Sequence, residues 1–178
     1  MRKDNNIDEI YGELQLSDDS KWYAVHTKSR HEKQIARKCK DYNISYYLPL
    51  KKSVRHYEHR VITFQKPLFS GYIFCKCDEN KKQNLYKTGR ICKFLEPTDQ
   101  TQLVNELQQI YGIIEKDAEI LPHNFLQRGK KVKVINGPFA DFEGKISHRK
   151  GEYKLVLNIE LIRQAIAVEI DSKNVVPI

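Results

Sequence analysis

The sequence has no apolar run long enough to cross a membrane. Its opening residues, Met1-Arg2-Lys3-Asp4-Asn5-Asn6, lack the apolar stretch of a secretory signal. The expectation is a cytoplasmic protein that does not enter the membrane. Cysteine is scarce: Cys39, Cys75, Cys77 and Cys92 are the four, without the paired C-x-x-C spacing of a zinc site. In a reducing cytosol they read as small buried hydrophobes rather than disulfides, with Cys75 and Cys77 on one face of a strand. Signatures of catalysis are missing too. Six histidines are present, but no carboxylate pair, nucleophile elbow or phosphate-cradling glycine loop accompanies them. The sequence therefore predicts no enzyme, no cofactor and no metal. It also contains no internal repeat and no low-complexity tract.

Acidic residues are thin in one place. Residues 21–66 hold twelve Lys and Arg against three Asp and Glu, a net charge of +9. Residues 1–20 are the reverse, with two basic and six acidic groups. The remainder, 67–112 and 113–178, comes to +1 and +2, so the whole +8 excess is explained by one stretch. Such a concentration marks a candidate nucleic-acid surface, although a solvated charged face has the same composition.

The polar, acidic residues 1–20 read as a mostly disordered lead. Order is expected from Trp22-Tyr23-Ala24-Val25-His26, a short strand. A helix follows, with Ser29 as N-cap and Glu32 closing a capping box. Its apolar side carries Ile35, Ala36, Cys39 and Tyr42, and its other side Arg30, Lys33, Arg37 and Lys40. Tyr46 to Leu50 reads as a strand, 51–66 as a charged hairpin, and Leu68 to Cys77 as the strongest strand of the first half. A short helix from Asn80 to Thr88, a strand at Ile91–Leu95 and a helix from Asp99 to Tyr111 complete 21–112. Strand, helix, strand, strand, helix, strand, helix is a ferredoxin-like α+β arrangement. Residues 113–124 read as a linker.

Residues 125–178 hold about five short strands, enough for a small SH3-like barrel. They carry the most specific line of the chain, Lys131-Val132-Lys133-Val134-Ile135-Asn136-Gly137-Pro138-Phe139-Ala140-Asp141-Phe142-Glu143-Gly144-Lys145-Ile146. Valines alternate with lysines as in a half-buried strand, Asn136-Gly137-Pro138 turns the chain, and Gly144 restarts it where a side chain would be in the way. Between Tyr153 and Ile170 neither glycine nor proline occurs, and Ile159, Ile162, Ile166 and Ile170 also fit a helical stripe. The turn chemistry and the isoleucine and valine content favour strands.

The Gly-Pro-Phe-Ala-Asp-Phe-x-Gly core resembles the KOW motif of NusG-type elongation factors. With Trp22-Tyr23-Ala24-Val25 and Leu68-Phe69-Ser70-Gly71-Tyr72-Ile73-Phe74, it makes residues 21–178 similar to the NusG family. Ser70 stands where the family usually has proline. The resemblance implies a NusG-like amino-terminal (NGN) domain over 21–112 and a KOW barrel over 125–178. It also implies a transcription elongation regulator that binds RNA polymerase and promotes antitermination. By the same resemblance, Trp22, Tyr23, Phe69 and Tyr72 would dock on the clamp coiled coil of the polymerase. Lys28, Arg30, His31, Lys33, Arg37 and Lys38 would meet the displaced non-template DNA strand. Arg55, His56, His59, Arg60 and Arg90 are second-rank candidates. The KOW barrel would present Ile162 and Arg163 to a further partner, such as a ribosomal protein. The family's usual aromatic-Gly-Arg-x-Thr-Pro run is absent there, which suggests a specialised paralogue of the RfaH or UpxY kind, serving particular long operons. The competing reading is a ribosome-associated, RNA-binding KOW protein.

Overall fold

A computed structural model describes residues 7–58, 60–124, 126, 129–149 and 151–178. It divides into two compact units, residues 1–100 and 101–178. Among the described residues, no helix is long and apolar enough to cross a membrane.

In the first unit a five-stranded antiparallel sheet runs in the order β1 (Ile10–Tyr11), β3 (Ser45–Tyr47), β6 (Tyr72–Cys77), β2 (Lys21–Thr27), β7 (Ile91–Leu95). Helices α1 (Glu32–Asp41) and α2 (Glu79–Tyr86) connect β2 to β3 and β6 to β7, which is the ferredoxin-like order. The period of two decides what each strand buries. Tyr23 and Val25 of β2 and Ile73, Cys75 and Cys77 of β6 join Ile35, Ala36, Cys39 and Leu85 from the helices in one core. Cys39 and Cys75 are free thiols with sulfurs 3.6 Å apart, and burial pushes the Cys77 thiol up to about 12. Cys92, read as buried, is exposed on the edge strand β7.

Two local readings change. Helix α1 is not capped by Ser29; its N-cap is His31, without a side-chain cap bond, and Glu32 is drawn elsewhere. Tyr42 lies past the helix end and is exposed, with the Lys38 ammonium 5.9 Å from its ring centre. By contrast, Asp78 caps α2 by accepting from the Lys81 N–H at 2.8 Å.

The acidic lead is not a loose tail from Ile7 onward. Strand β1 pairs with β3, while Ile7 and Leu14 are buried. The Leu48 N–H donates to the Glu9 carbonyl at 2.7 Å, and the Trp22 indole N–H to the Gln15 carbonyl at 2.9 Å. The scattered apolar residues of the lead cover an otherwise open sheet edge, and Asp8 pairs with Lys40 of the basic helix. Residues 1–6 of that lead lie outside the described residues.

Among the described residues, strands β4 (Leu50–Tyr57) and β5 (Arg60–Pro67) pair only with each other, as a separate two-stranded ribbon.

The second unit contains α3 (Gln100–Glu115) from its second residue onward and a six-stranded antiparallel sheet. The strand order is β13 (Val175–Pro177), β9 (Lys131–Val134), β10 (Glu143–Arg149), β11 (Glu152–Ile159), β12 (Gln164–Glu169), β8 (Leu121–His123). The Tyr153–Ile170 stretch is thus strand, 3₁₀ turn, strand, with Leu155, Leu157, Ile166 and Val168 buried. The segment read as a linker is largely structured: α3 runs four residues past Tyr111, and β8 joins the barrel sheet beside β12. Gly144 is required by space. A Cβ there would lie 2.7 Å from the Val156 carbonyl oxygen and 2.9 Å from Leu155 Cδ1. Phe139 and Phe142 meet edge to face at 6.2 Å under the turn between β9 and β10.

Candidate functional site

Where β2 ends and α1 begins, three loops are tied together by backbone bonds. The Thr27 N–H donates to the Gly71 carbonyl at 2.9 Å, the Lys28 N–H to the Arg90 carbonyl at 2.8 Å, and the His31 N–H to Lys28 at 3.1 Å. The His31 Nδ1–H donates to the Ser29 carbonyl at 2.8 Å, and Arg30 takes a left-handed φ of 62°. Glu32, only 5% exposed, accepts from the Gly71 N–H at 2.7 Å. A buried carboxylate needs such a donor, and the bond locks the turn ahead of β6. Gly71 sits at φ 84°, so L side chains are disfavoured there by the backbone even though space is available.

That locked turn presents Tyr72. Its ring stacks on His26 with centroids 5.0 Å apart and planes 21° from parallel, and both rings are half-exposed. Cross-strand pairing of His26 with Tyr72 creates the stack. The other three aromatics expected on a docking face are buried: Trp22 is 1%, Phe69 2% and Tyr23 6% exposed. Trp22 is held by its indole bond and by Gln100, whose side chain accepts from the Trp22 N–H at 2.9 Å and donates to its carbonyl at 3.0 Å. Phe69 meets Phe74 edge to face. Their apolar area is satisfied within the chain, so only Tyr72 of the four offers a ring to a partner.

The cations divide similarly. Lys28, Arg30 and Arg37 are exposed. Lys33 is half-buried and donates to the Gln65 carbonyl at 2.7 Å; burial, with the Arg37 charge beside it, holds its ammonium below the usual lysine range. Lys38 pairs with Asp41 at 2.9 Å, which raises its pKa. Arg90 lies against the helix, its Nε–H donating to Gln34 Oε1 at 2.7 Å. Arg55, His56 and Arg60 are exposed on the ribbon; His59 lies outside the described residues.

A second aromatic group was not legible in the sequence. Tyr86 of α2 packs on Phe94 of β7 at 4.9 Å, Phe94 meets Tyr23 edge to face, and the Lys82 ammonium stands 4.9 Å from the Tyr23 ring centre. Only strand pairing brings these positions together. In the second unit Ile162 is buried in the 3₁₀ turn between β11 and β12, because an apolar side chain there closes the core. It is 7% exposed, whereas the contact surface expected of it calls for an open side chain. Arg163, at φ 51°, is exposed.

A ferredoxin-like unit with a locked aromatic turn is followed in the chain by a small β unit built on the Gly-Pro-Phe turn. The family model described as transcription termination factor nusG matches residues 20–124, and that of the KOW motif matches residues 128–157. The chain belongs to the NusG family, a family of transcription termination and antitermination factors rather than enzymes. It is 27% identical over 170 residues to the transcription termination/antitermination protein NusG of Campylobacter jejuni, covering 84% of this chain and 93% of that protein. It is 27% identical over 180 residues to the protein of the same name from Thermus thermophilus, covering 87% and 97%. The Helicobacter pylori protein is 26% identical over 165 residues. Among solved structures, a Spt4:Spt5 complex matches 88% of this chain and 96% of that chain at 18% identity. Its TM-score of 0.29 is too low to carry an argument.

Proposed function

We propose that the protein binds RNA polymerase through the surface around Tyr72 and keeps it elongating past termination signals in particular long operons. The observation that carries this reading is the Tyr72–His26 stack, held by Gly71 and Glu32 beside exposed Lys28 and Arg30. A rigid aromatic anchor with cations at its rim suits a protein contact next to a polyanion. In this reading Tyr72 meets the clamp coiled coil, and Lys28, Arg30 and Arg37 follow the displaced non-template strand. The second unit receives a ribosomal protein near Arg163, and the missing family run in β12 favours a specialised paralogue.

The test is transcription through an intrinsic terminator by purified polymerase, with and without the protein. Readthrough should rise with the native chain and fall toward the factor-free level with Tyr72→Ala. Terminator readthrough that ignores the native chain, together with no capture by core polymerase at micromolar concentration, would end this reading.

A further inference from the structure

The first unit holds a pair of thiols that the surface just described does not use. Cys39 lies on α1 and Cys75 on β6, neither with any exposed area, and their sulfurs are in contact at 3.6 Å. Cys39 comes from the helix layer beside Ile35 and Ala36. Cys75 stands on the middle strand of the sheet, opposite Tyr23 of β2 and Tyr46 of β3. A thiol is a weak hydrogen-bonding group, and a methyl group would fill much the same space. Packing alone therefore does not call for sulfur at both positions. What two touching thiols can do, and two methyl groups cannot, is join.

The geometry singles out this pair. A disulfide needs its sulfurs about 2.0 Å apart, so the 3.6 Å contact has to close by about 1.6 Å, within reach of small side-chain rotations. Cys77 shares the core, but the sulfur in contact with Cys39 is that of Cys75. Cys92 is exposed on β7, outside that core. The two partners are 36 positions apart, and the loop between them includes β3, the β4–β5 ribbon and the Gly71 turn. Cross-linking a long loop removes much freedom from the unfolded chain, which favours the folded one. It also fastens α1 to β6, whose starts are already joined through the Glu32 carboxylate and the Gly71 N–H.

Access sets the pace. Burial, with the bond to Cys39, pushes the Cys75 thiol well above the usual thiol range. The reduced pair is therefore slow to react and closed to bulky reagents. Its oxidation waits on local openings of α1 that admit a small oxidant.

We infer that Cys39 and Cys75 form an oxidative modification site, where a hydroperoxide joins them into a disulfide that locks α1 to β6. In the first step one sulfur, as thiolate, attacks the peroxide: an S–O bond forms, the O–O bond breaks and one water leaves. The other sulfur then displaces the hydroxyl of that sulfenic acid, forming the S–S bond and releasing a second water. The two thiol protons end in the waters, and the peroxide takes up the two electrons that the sulfurs lose. This goes beyond the polymerase reading and does not rest on it, since the chemistry lies within the core of the first unit.

The test exposes the folded native chain to millimolar hydrogen peroxide, blocks the remaining thiols with iodoacetamide in urea and maps linked peptides by mass spectrometry. A linked pair carrying Cys39 and Cys75 is expected, with Cys77 alkylated. A Cys92→Ser chain repeats the measurement without the surface thiol. It should show three alkylatable thiols before peroxide, one after, and three again after dithiothreitol. Closing the bridge should raise its unfolding temperature by at least about 5 °C, read by Trp22 fluorescence, and dithiothreitol should remove the gain. Cys39→Ser in that background should abolish bridge and gain, and Cys77→Ser should keep both. Mapping of the native chain needs no variant, so the inference stays testable if a core serine unfolds the protein. Three alkylatable thiols after peroxide, a bridge through Cys77, closure only in urea, or an unfolding temperature that does not rise on closure would each overturn it. None of these results bears on terminator readthrough, so the two readings fail separately.

Discussion

Glu106 on α3 gives the most quantitative handle on stability. Its carboxylate accepts from Gln102 Nε2–H at 2.9 Å and from the Glu160 N–H at 3.3 Å. Burial dominates nonetheless, and with the Glu160 charge nearby it lifts the pKa from 4.5 to about 7. Between those values the folded chain holds a proton that the unfolded chain has released. The stabilisation is therefore fully present below about pH 4.5 and is lost as pH rises through about 7. The gap of about 2.5 units corresponds to at most about 3.4 kcal/mol at about 1.36 kcal/mol per unit; relaxation and water entry make about 1–2 kcal/mol the working figure. Glu106→Gln is neutral at every pH and keeps an oxygen for the Glu160 amide. It should be more stable than the native chain by that amount at pH 8 and within about 0.5 kcal/mol of it at pH 4.5. The assay is urea unfolding followed through the amide signals of β10 and β11, at both pH values. Other titrating groups cancel in the difference between the two chains. A Glu106→Gln effect of the same size at pH 4.5 and pH 8 would refute the assignment.

Three further outcomes follow from the geometry. Glu32→Ala should cost about 1.5–3 kcal/mol by orphaning the Gly71 amide, and Glu32→Gln should recover part of it; fluorescence of Trp22, the single tryptophan, reads the urea midpoint. Gly144→Ala should destabilise the second unit by about 1–3 kcal/mol, because the new Cβ meets a carbonyl that cannot turn aside; the amide-detected titration used for Glu106 would show no shift if β10 and β11 were spaced more loosely. A thiol reagent should react at once only with Cys92, and with Cys39, Cys75 and Cys77 only after denaturation; two or more fast thiols in the native chain would contradict the described core.

Much of the fold was legible because it rests on local rules. The Asn136-Gly137-Pro138 turn, the obligatory glycine at 144 and the alternation in Val132 and Val134 are written in short stretches of chain. The acidic lead misled because a two-residue edge strand is too short to leave a periodic signal, while Ile7 and Leu14 find their burial only against elements far along the chain.

Sequence by itself determined most of the element order and the placement of nearly all excess charge between residues 21 and 66, since composition, period and turn chemistry are properties of neighbours. Tertiary structure decided which groups face out. Residues such as Trp22, Phe69 and Ile162 are apolar whether they anchor a partner or fill a core, and only packing chooses between those uses. Cross-strand register likewise made the Tyr72–His26 stack and set two valines on the open face of the ribbon, because pairing partners lie many residues apart and no local pattern names them.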